Sequence, residues 1–132
     1  MSIVKPDLLR GSLRFDGWGT AAFGVVMLAG GRWLTGPLGL PSTWFVPLGI
    51  AMVGGAAALG LIAGYPRIPP RLAACAIAGN ALSAVAILAL LILNLLPLTG
   101  LGVAFLLAGA AWVTTFAALA FLGLKRSPGT TA

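Results

Sequence analysis

The sequence predicts an all-α membrane protein: one integral domain, residues 1–132, folded as a bundle of four transmembrane helices. Three observations predict it. Of the residues, 60% are hydrophobic and only 8% charged, whereas a soluble domain carries about 25% charged residues. The polar surface needed to keep a compact ball in water is missing, so lipid must be the solvent for most of the chain. Four stretches, 17–34, 44–64, 72–96 and 101–124, come close to or exceed the roughly 20 apolar residues that cross a bilayer. The cations around these stretches also alternate in density from one side to the other.

The segment before the first span, PDLLRGSLRF at 6–15, can form a short N-terminal interfacial helix. Leu8, Leu9 and Leu13 would share its apolar side, and Arg10 and Arg14, spaced i,i+4, would meet anionic headgroups. Gly11 weakens this helix. Asp16 then opens the first span, where a carboxylate can cap exposed amides and suits the positive end of the helix; it can also pair with Arg14 or Arg71. The basic residues before this apolar run resemble a signal peptide, but GRWLTGPLGLP after it offers no small-x-small cleavage site, so the run is expected to remain as a helix.

Gly36, Pro37, Gly39 and Pro41 separate the first span from the second. Pro66, Pro69 and Pro70, with Arg67 and Arg71, separate the second from the third, and Pro97 and Gly100 the third from the fourth. Proline lacks an amide donor and glycine is permissive, so both end helices. With an even number of crossings, Lys5, Arg10, Arg14, Arg67, Arg71, Lys125 and Arg126 collect on one face and only Arg32 on the other. Positive charge stays in the cytoplasm, so both termini are expected there, in a bacterial inner membrane, and the bias argues against dual topology. Trp18 and Tyr65 fall at the inner boundary and Trp33 and Trp44 at the outer one, where amphipathic rings settle; Trp112 is the exception, midway along the fourth span. Arg32 is close enough to the outer end to snorkel, and Asn94 can reach headgroups or cap a carbonyl. The tail 127–132, SPGTTA, reads as a flexible end.

Composition also removes function classes. There is no histidine and no glutamate, and both acids, Asp7 and Asp16, lie in the first sixteen residues. The single Cys75 can form no internal disulfide and no paired metal or redox motif. No catalytic residue, cofactor or metal is therefore expected. A net charge of +6 would suggest nucleic acid in a soluble chain, but here it serves orientation.

What remains are small residues and a few polar ones inside the spans. Hydrophobicity supplies little drive between helices in lipid, so close packing and hydrogen bonds do more. Small residues recur at four-residue spacing: Gly17 and Ala21, Thr20 and Gly24, Ala56 with Gly60 and Gly64, Cys75 with Gly79 and Ser83, Ala110 with Thr114 and Ala118. These faces suit packing within one bundle, or homodimerisation through Gly60 and Gly64; the former is preferred because every span has one. Asn80 lies nine residues past Arg71, so about 13 Å along a helix. Its amide cannot be satisfied by lipid and must face a helix or a wet cavity. Thr20, Thr114 and Thr115 are its candidate partners.

An Arg-x-Asp (Arg14, Asp16), a Gly-Leu-Pro (39–41), a Pro- and Arg-rich central loop, a Gly-Asn-Ala-Leu (79–82) and a Leu-Thr-x-x-Gly-x-Ala-Phe (98–105) run through the chain. In these it resembles a group of small bacterial four-helix integral membrane proteins of unassigned function. The resemblance covers most of the chain and implies a fold and topology but no activity. Small multidrug exporters share the outline of four helices but need a glutamate in the first, which this chain lacks. Fluoride channels have an asparagine and a later Thr-Thr-Phe, as Asn80 and 114–116 do here, but in them another helix follows that segment. A faint internal echo, with Asp16 in one half and Asn80 in the other, predicts two helical hairpins in parallel orientation.

The leading expectation is a non-catalytic protein: an accessory or assembly subunit, or a self-associating scaffold, whose partners are membrane lipids, other membrane proteins or itself. The alternative is a small transporter or channel with a polar path near Asn80, Thr114 and Thr115. A third expectation is lipid or quinone binding between helices near Trp112.

Overall fold

The computed structural model describes the backbone of residues 4–126 and the side chains of residues 8–125. These residues form four helices and no strand: α1 (Val4–Leu38), α2 (Phe45–Ala63), α3 (Pro70–Ile92) and α4 (Gly100–Arg126), with a 3-10 turn at Ser42–Trp44 before α2. Three stretches, Ser42–Ala63, Pro70–Ile92 and Gly100–Lys125, are long and apolar enough to cross a membrane, as a multi-pass protein requires. α1 is the longest helix at 35 residues but is not among the three; its sequence is interrupted by Arg10, Arg14, Asp16 and Arg32.

Two antiparallel hairpins, α1–α2 and α3–α4, join through α1 and α4, while α2 and α3 barely touch. Two apolar clusters mark the ends. At one end Leu9 and Leu13 of α1 pack with Leu59 and Ala63 of α2, Ala73 of α3 and Ala120 of α4. At the other, Met27 and Leu38 pack with Leu40, Phe45 and Leu96. α1 therefore runs from one cluster to the other alongside the apolar helices.

The N-terminal segment is not a separate interfacial helix. It forms the first turns of a continuous α1, and Leu9 and Leu13 are buried against the other three helices instead of facing lipid. Pro6 is no obstacle in a first turn, where its missing amide would have no intrahelical partner. Arg10 is also redirected. Its guanidinium donates to the carbonyls of Ala63 (2.6 Å), Tyr65 (2.7 Å) and Pro66 (3.2 Å), completing the C-terminus of α2, where orphan carbonyls and the negative helix end favour a cation.

The other end is closed by backbone geometry. α1 stops at Gly39, whose φ of 72° lets its amide bond Thr35 O at 2.9 Å, the left-handed cap for which glycine is suited. α3 ends at Ile92, short of the predicted 96. Asn94 takes a φ of 52°, and the amides of Asn94 and Leu95 return to Leu91 O and Leu90 O, so Asn94 is the left-handed residue of a Schellman-type stop. Thr99 then ties the hairpins: its amide donates to Leu38 O at 3.0 Å, its hydroxyl to Pro37 O, and Gly102 N donates back to Thr99 Oγ1 at 3.0 Å. The predicted flexible tail, 127–132, lies outside the described residues.

Candidate functional site

Asp16 is 1% exposed and lies between the two apolar clusters. α1 begins well before it, so it is a mid-helix residue with no free helix end to cap, which overturns its expected place at the mouth of the first span. Its partners sit deep in their own helices. At 1.5 Å per residue, Asn80 is about 15 Å along α3 and Trp112 about 18 Å along α4.

Both carboxylate oxygens are engaged. Asn80 Nδ2 donates to Oδ2 at 2.7 Å, Trp112 Nε1 to Oδ1 at 2.9 Å, and Thr20 Oγ1 to Oδ1 at 3.1 Å. All three donors are neutral, and two come from other helices. The side chains of Arg14 and Arg71, its expected ion-pair partners, are exposed instead. The carboxylate thus fastens α1 to α3 and α4. Buried polar groups away from water require such partners, and among the described residues every buried side-chain nitrogen and oxygen has one.

Trp112 reaches Asp16 by lying over Gly19. A β-carbon at position 19 would stand 3.0 Å from Trp112 Cε2 and closer still to the ring carbons beyond it, so only glycine lets the indole lie against α1. An aromatic row continues along this seam. Trp112 packs on Phe116 (4.7 Å between centroids) and Phe15 (5.9 Å), and meets Phe23 edge-on at 6.3 Å.

Of the residues singled out from sequence, Asp16, Thr20 and Asn80 come together. Asn80 bonds the acid, not a threonine, and Thr114 and Thr115 are exposed on α4. Gly60, Gly64, Gly79 and Ser83 are exposed; Ser83 Oγ donates to Gly79 O of its own helix at 2.8 Å. The close packing of α1 on α2 is made by Gly17 against Ala56 and Leu59, and by Gly24 against Gly49. Sequence reasoning missed Trp112 as a partner, Gly19 as its seat and Arg10 as a latch. A mid-span indole and a mid-span amide on different helices were the available signal, since each needs a partner that lipid cannot supply.

The motifs noted in the sequence meet in pairs. The Asp of Arg-x-Asp bonds the Asn of Gly-Asn-Ala-Leu. The Gly39 turn sits against Pro97 and Thr99, and Gly102 against Leu38. Compared with protein-family models, curated proteins and solved structures, the chain matches none.

Proposed function

We propose that this chain is a four-span bacterial inner-membrane protein with both ends in the cytoplasm, acting without chemistry of its own as an accessory or assembly subunit or a self-associating scaffold. Counting α1 as the fourth span is supported by its course alongside α2 and α4, from the Leu9 cluster to the Met27 cluster. The polar residues on its inner side are used within the bundle. The orientation is supported by the gathering of cations at the end where α1 starts, α2 meets α3 and α4 stops. The resemblance to small four-helix bacterial membrane proteins agrees with this outline.

The observation that carries the subunit reading is where the small residues face. Gly54, Gly55, Gly60 and Gly79 would meet nothing within 4 Å if given a β-carbon, so α2 and α3 present outward faces on which another helix can approach closely. Cys75 is exposed on α3 near Gly79 and provides a native crosslinking handle. Oxidative or bifunctional crosslinking in native membranes, followed by native electrophoresis in mild detergent, should give a discrete larger species, weakened by Gly60→Leu or Gly79→Leu. A chain that stays monomeric and uncrosslinked, with both variants behaving as wild type, would refute the reading.

A second reading, a small transporter, is favoured by the buried acid alone, because ionisable residues inside a span commonly serve a transport path. Its route would run through Asp16, Asn80 and Trp112, leaving Thr114 and Thr115 aside. Ion flux in proteoliposomes that Asp16→Asn abolishes would favour it; flux unchanged by that substitution would remove the route.

A further inference from the structure

We infer that the cation-rich end of the bundle is a binding surface for anionic phospholipid headgroups, formed by Arg14, Arg67, Arg71 and Lys125 and not by Arg10. The inference rests on the membrane reading above and adds the class of lipid and the residues that select it. The four cations belong to one end: Leu9 of α1 packs with Ala63 beside the Arg67 loop, with Ala73 beside Arg71 and with Ala120 of the last turns of α4. All four side chains are exposed. Arg10, though it shares their end, spends its guanidinium on the carbonyls of Ala63, Tyr65 and Pro66. Asp16 cannot serve as their counter-ion, because it is buried and bonded to neutral donors.

One aromatic ring marks the headgroup level beside them. Tyr65, 43% exposed, stands two residues before Arg67, at the level of Arg10. Such rings settle at the boundary between headgroups and acyl chains. Trp18, expected at the same boundary, instead follows the buried Asp16 and neighbours Gly17, which packs on Ala56 and Leu59, so it lies deeper along the bundle. Arg14 stands one turn past Arg10 on α1, and its stem is long enough to carry its head back to the phosphates. Guanidinium groups match phosphate oxygens in a planar fork, so three arginines and a lysine suit the phosphodiester of an anionic lipid, whose charge no headgroup ammonium offsets. At the opposite end Arg32 is the one cation among the described residues, so the surface is one-sided.

The test offers phosphatidylglycerol and phosphatidylcholine in equal amounts to the full chain in nonionic detergent, and counts retained lipids by native mass spectrometry. Phosphatidylglycerol should be retained at least about tenfold over phosphatidylcholine, given roughly fivefold per cation near a negative surface. The preference should weaken in high salt and survive millimolar inorganic phosphate. In R14Q/R67Q/R71Q/K125Q it should fall to near parity, while Arg32→Gln should retain it. Parity in the wild type, an unchanged preference in the quadruple variant, or displacement by free phosphate overturns the inference. If circular dichroism shows the quadruple variant unfolded, R67Q/R71Q decides by the same criterion, with a several-fold loss expected. Release of the chain from membranes by alkaline carbonate would refute the membrane reading itself, separately from any lipid preference.

Discussion

Replacing Gly19 by alanine should detach Trp112 from the central hydrogen-bonded cluster without touching any of its polar atoms. The new methyl would stand 3.0 Å from Trp112 Cε2, with the adjoining ring carbons closer. Carbon atoms in good contact are about 3.5–4.0 Å apart, so the nearest part of the indole must withdraw by about 1.5–2 Å. The Trp112 Nε1–Asp16 Oδ1 bond, 2.9 Å in the native packing, would then stretch beyond bonding range. Hydrogen bonds between membrane helices average about 0.6 kcal/mol and reach about 1.7. Disturbed packing against Phe15 and Phe116 adds about 0.5–1.5 kcal/mol. Together these predict a loss of about 1–3 kcal/mol, read by denaturant unfolding in micelles. With Trp18, Trp33 and Trp44 changed to phenylalanine, emission from Trp112 alone should shift as its indole N–H loses its partner. Trp112→Phe removes both the clash and the bond, so adding Gly19→Ala to it should cost almost nothing further. If Gly19→Ala unfolds within about 0.5 kcal/mol of the parent and leaves the Trp112 emission unchanged, the seating of Trp112 on α1 is wrong.

Other substitutions probe the remaining ties. Asn80→Leu should destabilise by about 1–2 kcal/mol, since Asp16 Oδ2 loses its donor, and Asp16→Leu in the same chain should recover part of that loss in an unfolding titration. Arg10→Gln should lower stability by about 1–3 kcal/mol through the orphaned carbonyls of α2, whereas Arg14→Gln should leave micellar unfolding within about 0.5 kcal/mol. Gly39→Ala should cost at least about 1 kcal/mol, because a left-handed φ of 72° coincides with a β-carbon pressed against Pro97 and Thr99; a neutral result by thermal melting would contradict this turn.

The apolar helices were legible because lipid demands length and composition, and prolines and glycines punctuate them. The predicted 44–64 and 101–124 lie close to Phe45–Ala63 and Gly100–Arg126. α1 was misread at its start because Asp16 before an apolar run resembles a helix cap, and Gly11 resembles a break. Tertiary packing of Leu9 and Leu13 overrides both. The end of α3 was misread because Leu93, Leu95 and Leu96 continue the apolar pattern, and no hydropathy pattern records that Asn94 turns left-handed. That Asn80 needs a partner was readable; that the partner is Asp16 was not, since it depended on how deep α1 carries the acid. The Gly19–Trp112 fit is a matter of shape between two helices and leaves no periodic trace.

The three bonds to Asp16 span 4, 64 and 96 residues of chain. During synthesis the acid is therefore made early and Trp112 late. At about 5–20 residues per second, roughly 5–20 seconds separate them, and for much of that time only the nearby threonine can help the carboxylate. The first hairpin alone leaves the buried acid short of two of its three donors. The last helix to be made supplies the indole that completes the set.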